Sequence, residues 1–193
     1  PVCCVPTTAG TGSEVTSASV ITDTRTNNKL SVTNDLIIPD FAIVDPVTQT
    51  SMPPQITAMT GVDALTHAIE SYVSLKADPI ADILALEAIQ IVSQNLRTAV
   101  HDGTNLEARM AMSYASTLGG ICILNSTVGA VHGIAQSMGG VAHTAHGLAN
   151  AVLLPYVMRK NLPANVKKYK EIAEAMGENI EGLSDREAAE RSI

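Results

Sequence analysis

The strongest constraint on the fold is a change of sequence pattern at residues 52–54, "MPP". Before it, short β-rich runs alternate with turns, which predicts strands at 1–6, 18–23 and 41–45 and a polar hairpin-type connection at 22–28. After it, apolar residues recur with helical spacing. Because 46% of the residues are hydrophobic but only 3% are aromatic, the core must consist of Ala, Val, Ile, Leu and Met, which favours packed helices. The sequence therefore predicts a mainly α fold that begins with a few strands.

The helical part divides at turn and capping signals. The predicted helices cover about 61–75, 79–100 with Asp78 as cap, a stretch from Thr104 onwards, Asn125 to about 140, His146 to about 160, 163–177, and a last one that begins at Ser184. The third starts with a capping-box pattern, Thr104 followed by Glu107. Its apolar spacing predicts an inward face formed by Leu106, Met110, Tyr114, Leu118 and Ile121.

Charge and cysteine usage exclude several classes of protein. Lys and Arg number 12 against 19 Asp and Glu, a net charge of −7 with no basic stripe, so we expect no nucleic-acid partner. The apolar runs are shorter than a bilayer span, and no basic-then-apolar leader opens the chain, so we expect no membrane association. Cys3, Cys4 and Cys122 have spacings unsuited to a disulfide framework, which indicates reduced thiols in a cytoplasmic protein. The chain starts without Met and stops inside a predicted helix, and we interpret it as a fragment.

Four polar residues in apolar or glycine-rich surroundings predict a metal site. Asp63 and His67 are four residues apart, which places them on one helix face. Alone, this pair favours an ordinary acid–histidine hydrogen bond on a helix surface over a metal site. His132 and His146, however, also lie among small residues, where unpaired polar groups are costly to bury. One carboxylate and three imidazoles suit Fe²⁺ or Zn²⁺ better than Ca²⁺ or Mg²⁺, although the four positions do not by themselves name a reaction.

A threonine- and glycine-rich turn, "PTTAGTGSEVTS" at 6–17, follows the first predicted strand. It matches neither the P-loop pattern nor the usual dinucleotide fingerprint. Gly10 and Gly12 nevertheless allow a tight turn and close approach to a ligand. Hydroxyl and amide donors suited to phosphate oxygens come from Thr7, Thr8, Thr11 and Ser13. Phosphate binding and a plain strand-to-loop turn both remain open, and Lys29 would ordinarily be a solvated surface lysine.

Together these motifs resemble the iron-containing (group III) alcohol dehydrogenase family. The matching segments are "PTTAGTGSEVT", "MPP", "TGVDALTHAIESYVS", "VHGIAQSMGG" and "HGLANAVLLPYVMRKN". The resemblance implies a dehydroquinate synthase-like architecture, an all-helical metal-binding domain preceded by the last strands of an α/β dinucleotide-binding domain. Residues 1–52 would then be the end of the nucleotide-binding domain, and 53–193 the helical domain without its final helices.

The resemblance also implies an activity and a set of site residues. Hydride would pass between a primary alcohol or aldehyde and NAD(P), while a divalent metal, Fe²⁺ or Zn²⁺, polarises the substrate oxygen. Family members suggest a homodimer. Lys29 would lie near the cofactor ribose. The metal would be held by Asp63, His67, His132 and His146, and the cofactor groove lined by Thr7, Thr8, Gly10, Thr11, Gly12 and Thr16.

One position departs from the family pattern. Many relatives have a histidine four residues after the third ligand, where this chain has Gln136, and glutamine cannot shuttle a proton near neutral pH. His143 could replace it, could orient a ligand from behind, or could be a plain surface residue. Two other readings stay open: a metal-dependent hydrolase or lyase that uses the same ligands, and a metal-binding fragment without activity.

Overall fold

The computed structural model describes residues 1–26 and 28–193 and begins with short strands. Strand β1 (Cys3–Cys4) pairs in parallel with β4 (Phe41–Ala42). Strand β2 (Ala18–Asp23) pairs antiparallel with β3 (Asn28–Thr33). The strand predicted at 18–23 is confirmed with its bounds, whereas those predicted at 1–6 and 41–45 are only two residues long. Strand β3 was not predicted, and Asn27 of the predicted hairpin connection lies outside the described residues.

Helices dominate the described chain from Pro54 onwards and confirm the mainly α fold class. Their bounds are α1 Pro54–Tyr72, α2 Pro79–His101, α3 Leu106–Asn125, α4 Ala130–Val141, α5 His146–Asn161, α6 Val166–Ala175 and α7 Asp185–Glu190. Asp78 caps α2 as predicted, through its carboxylate to the N–H groups of Ile80 and Ala81. Ser184 likewise begins α7 with a complete capping box.

Two predicted helix starts are wrong, for local reasons. Helix α1 begins at Pro54 rather than near residue 61, because proline is well suited to the first helical position, where its missing N–H has no intrahelical partner. Helix α3 is capped by Asn105, whose side chain accepts from the Ala108 N–H. Thr104 instead bonds to Asp102. Because an acceptor two residues upstream engages Thr104, the cap lies one residue later than predicted.

The inward face predicted for α3 is also largely wrong. Leu106, Met110 and Tyr114 are 48%, 45% and 58% exposed. The buried side of the helix carries mostly small residues, among them Ala108, Ala115, Gly119, Gly120 and Cys122. Small side chains let the backbone of α3 pack closely against α1 and α2. The residues of α3 that are buried are therefore those small enough to fit between the helices, not the largest apolar ones.

The hydrophobic core lies between the helices. Its larger cluster joins α1, α2, α5 and α6 and includes Ile69, Ile89, Tyr169 and Ile172, each at most 1% exposed. Within the described residues no single helix is both long and apolar enough to cross a membrane, although α3 and α4 together, with 103° between them, meet that criterion by length and composition.

Candidate metal centre

Helix α1 turns three ionisable side chains into the protein from one face. Asp63, His67 and Glu70 are 4%, 5% and 5% exposed. Their spacing of four and three residues stacks them along two helical turns. Close packing with α3 brings this face inward, since an added Cβ at Gly119 would lie 3.4 Å from the Cβ of His67.

Two further imidazoles reach Asp63 from neighbouring helices. His132 lies in the first turn of α4 and is 3% exposed, and His146 is the first residue of α5. The Asp63 Oδ1 atom is 3.5 Å from His132 Nε2 and 3.6 Å from His146 Nε2. One ligand atom from each of these three residues lies within 4.8 Å of the other two, so they could share one ion.

His67, the fourth predicted ligand, lies beside this trio. Its ring stacks on that of His132, with centroids 4.5 Å apart and 15° between the planes. Its Nδ1 atom is 3.2 Å from the carbonyl oxygen of Gly10. A carbonyl only accepts hydrogen bonds, so Nδ1 carries the proton and Nε2 keeps its lone pair. Gly10, predicted as a cofactor residue, thus also orients a candidate metal ligand through its backbone.

Glu70 is a site residue that the sequence analysis missed. Its Oε2 atom accepts a 2.6 Å hydrogen bond from His132 Nδ1, and its Oε1 atom accepts one of 2.7 Å from the backbone N–H of Val131. A carboxylate on the far nitrogen of a histidine is a common partner of metal-binding imidazoles. The available signal was its position seven residues after Asp63, on the same helix face.

Asn150 was also missed, although it follows His146 by one helical turn. It is fully buried, and its Nδ2 atom donates to Asp63 Oδ1 over 2.6 Å. The same nitrogen is 3.2 Å from His132 Nε2 and 3.3 Å from His146 Nε2. One amide therefore contacts the atoms of all three clustered residues and holds them near one another.

Burial and neighbouring charges have opposing effects on the pKa values of the clustered residues. Burial lowers the pKa of His67 to about 4. Burial would also lower the pKa of His132, but hydrogen bonds with Asp63 and Glu70 outweigh it and raise that pKa to about 9. Burial would raise the pKa of Asp63, yet the His132 hydrogen bond and the charges of the surrounding imidazoles bring it down to about 2. Asp63 is thus ionised at neutral pH.

The residues present fit a divalent cation. Within the described part of the chain, the ion pairs of the buried carboxylates Asp63 and Glu70 are all with histidines, and none is with Lys or Arg. Even with His132 protonated, the two buried carboxylates would leave one uncompensated negative charge, which is costly. A cation would compensate it, and carboxylate with imidazole is a donor set that suits Zn²⁺ or Fe²⁺.

A cavity of about 580 Å³ opens over this cluster. Its walls include all four predicted metal ligands, together with Gln136 and three of the predicted cofactor residues, Thr11, Thr16 and Lys29. Alternate residues of β2 and β3 extend the wall with Thr22, Ser31 and Thr33. The cavity therefore joins a candidate metal site to a surface rich in hydroxyl groups.

Other predicted site residues lie elsewhere. The described residues that line the cavity do not include Thr7, Thr8, Gly10 or Gly12. Gly12 has a left-handed backbone with φ of 58° and packs against α3. His143 is exposed, has a positive φ of 52°, and does not line the cavity either.

Comparison with protein families gives two adjacent matches. A model described as "Fe-containing alcohol dehydrogenase family, C-terminal" matches residues 57–193. A second, "Iron-containing alcohol dehydrogenase", matches residues 1–46.

Named relatives and solved structures agree with the two family matches. A 1,3-propanediol dehydrogenase of Klebsiella pneumoniae is 49% identical over 193 residues, which are 100% of this chain and 50% of the relative. An NAD-dependent methanol dehydrogenase of Bacillus methanolicus is 45% identical, over 100% of this chain and 51% of its own length. A crystal structure of 1,3-propanediol oxidoreductase superposes with a TM-score of 0.96 at 48% identity, covering 100% of this chain and 50% of that one. An alcohol dehydrogenase from Oenococcus oeni gives 0.96 at 43% identity with the same coverage. The chain thus spans about half the length of the curated relatives it matches.

Proposed function

The chain belongs to the iron-containing alcohol dehydrogenase family, and we propose that it provides the metal-binding half of an enzyme that transfers hydride between a small primary alcohol or aldehyde and NAD. The observation that carries this proposal is the convergence of Asp63, His132 and His146 within 4.8 Å in the wall of a cavity that also exposes hydroxyl groups. Relatives named for 1,3-propanediol and methanol support a short alcohol as substrate.

The metal would be Fe²⁺ or Zn²⁺. Asp63, His132 and His146 would hold it through their clustered atoms, and His67 through the Nε2 atom that its bond to Gly10 leaves unprotonated. When bound, such an ion supplies a Lewis acid, which polarises a carbonyl group or lowers the pKa of a hydroxyl. The contribution of the chain is orientation: Glu70 and Asn150 hold the ligand side chains from behind, so that little rearrangement is needed on binding.

The hydroxyl-rich wall of the cavity is the proposed cofactor surface. Thr11 and Thr16 line the cavity, where their hydroxyl groups could bond to polar groups of a dinucleotide. Lys29 reaches across to α4, where an added Cβ at Gly139 would lie 2.6 Å from its Nζ atom. Its cation would face the phosphate or ribose end of the cofactor. Thr7, Thr8, Gly10 and Gly12 would act by setting the shape of the turn.

Gln136 would contact the substrate without exchanging a proton with it. It follows His132 by one turn of α4 and lines the same cavity, and its amide can both donate and accept hydrogen bonds. A proton released from an alcohol would then leave through solvent in the open cavity. His143, which is exposed, would serve only if the bound cofactor or substrate brought it closer.

We also propose the domain division at residues 52 and 53. The two family models meet between residues 46 and 57, and the first long helix starts at Pro54. The active cavity would then lie between the two domains, with metal ligands from the second and most cofactor contacts from the first.

The test is NADH consumption by the full-length protein that contains this chain, purified without oxygen and loaded with Fe²⁺ or Zn²⁺. It is expected to oxidise NADH with short aldehydes, and His132→Ala should lose bound metal and turnover together. His101→Ala, which removes an exposed imidazole at the end of α2, is the matched control and should keep both. Full activity and metal content in His132→Ala would refute its assignment as a ligand. Absence of NADH consumption by metal-loaded protein with every aldehyde and alcohol tried would favour a hydrolase or lyase.

A further inference from the structure

A buried glutamate joins the metal-bearing face of α1 to the start of α4. Glu70 is 5% exposed, and its two carboxylate oxygens have separate partners: Oε1 accepts from the backbone N–H of Val131, and Oε2 accepts from His132 Nδ1. The two partners are consecutive residues in the first turn of α4. One side chain therefore fixes both the helix backbone and the ring that projects from it.

The start of α4 is built to receive this carboxylate. Its N-cap residue, Gly129, makes no side-chain cap of its own. An added Cβ at Gly129 would lie 2.7 Å from Glu70 Oε1 and 3.1 Å from Cδ, so any other residue would displace the carboxylate. Because the first N–H groups of a helix lack partners within it and carry partial positive charge, a carboxylate from a neighbouring helix satisfies them.

We propose that Glu70 is a positioning residue for the metal centre: by holding a proton of His132 on Nδ1, it makes Nε2, which is directed at Asp63 and the cavity, the nitrogen that a metal takes. This inference rests on the proposed metal site. It gives a role in that site to Glu70, which is not one of the predicted ligands. Without Glu70, an imidazole can carry its single proton on either nitrogen and can turn about its bonds.

Glutamine in place of Glu70 separates this role from packing. It has nearly the same shape, but its amide group has one oxygen and one NH₂ group. In either orientation the glutamine oxygen can accept from only one of the two present donors, Val131 N–H and His132 Nδ1–H. The other donor would face the glutamine NH₂ group, which is itself a donor. If the bond to Val131 is kept, NH₂ faces Nδ1, which can then only accept. The ring proton moves to Nε2, the atom that a metal needs.

The experiment compares Zn²⁺ affinity, measured by competition with a chelator, in the full-length parent and in Glu70→Gln. Loss of the partner behind a ligating histidine typically weakens metal binding about 10- to 100-fold, and we expect a loss in this range. Glu171→Gln is the matched control, because Glu171 also reaches between helices, from α6 to the Tyr72 hydroxyl of α1, but away from the cluster. Its Zn²⁺ affinity should stay within about threefold of the parent, as expected for a change outside the ligand sphere.

The thermal midpoints of the metal-free proteins distinguish positioning from folding. If Glu70 positions His132, metal-free Glu70→Gln should still unfold cooperatively at a midpoint above the assay temperature and nevertheless bind Zn²⁺ more weakly, while Glu171→Gln keeps its Zn²⁺ affinity. Glu70→Asp, which keeps the charge but shortens the reach, should bind Zn²⁺ better than Glu70→Gln. Parent-like affinity in Glu70→Gln would overturn the inference and leave the metal site standing. A parent protein that binds no divalent metal would overturn the proposed function first.

Discussion

The residues before Pro54 and the helices after it are stabilised in different ways. Among the described residues, the buried hydrophobic side chains of the first part are Ala9 and Met52, whereas the helices supply all the others. The same first part exposes large apolar side chains along its strands and turns, such as Val20, Ile21, Leu30 and Phe41. A hydrophobic core therefore explains how the helices pack, but it does not explain how the first part is held in place.

Specific contacts hold the first part on the helices. Gly12 packs directly on Gly120 of α3, and Glu14 accepts a hydrogen bond from Thr117 of the same helix. Each contact involves a glycine or a polar group rather than apolar area. The position of the turn over the metal cluster therefore depends on a few residues, so single substitutions should affect it more than they affect the core.

The largest effect is expected at Arg109, a buried guanidinium in α3 that is 1% exposed. It donates to the carbonyl oxygen of Met52 over 3.1 Å, to that of Gly103 over 3.0 Å and to the Thr57 hydroxyl over 2.7 Å. Because Arg109→Met would leave buried acceptors without a donor, each costing about 1–3 kcal/mol, we expect a loss of about 3 kcal/mol or more. The measurement is the thermal unfolding midpoint of the full-length protein.

Arg97→Met provides the control for that measurement. Arg97 is exposed on α2, and a surface substitution of this kind usually changes stability by less than about 0.5 kcal/mol. Equal midpoints for the two variants would show that Arg109 does not hold the junction at Met52.

A smaller loss of stability is expected when a side chain is added at Gly120, where the turn around Gly12 packs on α3. In Gly120→Ala the new Cβ would lie 2.7 Å from the Gly12 carbonyl oxygen and 2.8 Å from Val15 Cγ2. Backbone cannot move aside cheaply, so we expect a loss of about 1–3 kcal/mol. Gly133→Ala is the matched change in α4, where nothing lies within 4 Å, and it should gain about 0.5–1 kcal/mol from helix propensity. Stabilisation by both substitutions would mean that the turn does not pack on α3 as described.

The same difference between the two parts explains what the sequence could predict. Asp63, His67, His132 and His146 stood out because each is polar in a stretch of small or apolar residues, and the structure brings all four to one cavity. The caps of α2 and α7 were predictable because capping depends on neighbouring residues only.

Other features depend on contacts distant in sequence, for which the local pattern gives at most a weak signal. Glu70 in isolation has the pattern of an ordinary helix-surface glutamate; its role comes from Val131 and His132, more than 60 residues away. The buried face of α3 was missed because hydrophobic spacing favours large residues, whereas close helix packing selects Gly119 and its small neighbours. Strand β3 has mixed polarity because one of its faces lines the cavity and the other is exposed.

The two stacked imidazoles, His67 and His132, are oriented by different parts of the molecule. His67 donates to Gly10 of the first part, and burial lowers its pKa to about 4, so it is neutral and ready to bind a metal at neutral pH. His132 is instead bonded to Glu70 of α1, and Asp63 and Glu70 raise its pKa to about 9 against the effect of burial. Below that pH a proton occupies His132 Nε2, and a metal must displace it.

Zn²⁺ affinity should therefore rise with pH, by up to about tenfold per unit for one displaced proton, and level off near pH 9. Chelator competition at several pH values measures this slope, and calorimetry in buffers of different ionisation enthalpy counts the protons released. A flat profile from neutral pH upwards would mean that His132 is already neutral, and that the carboxylates of the helical part do not hold the proton there.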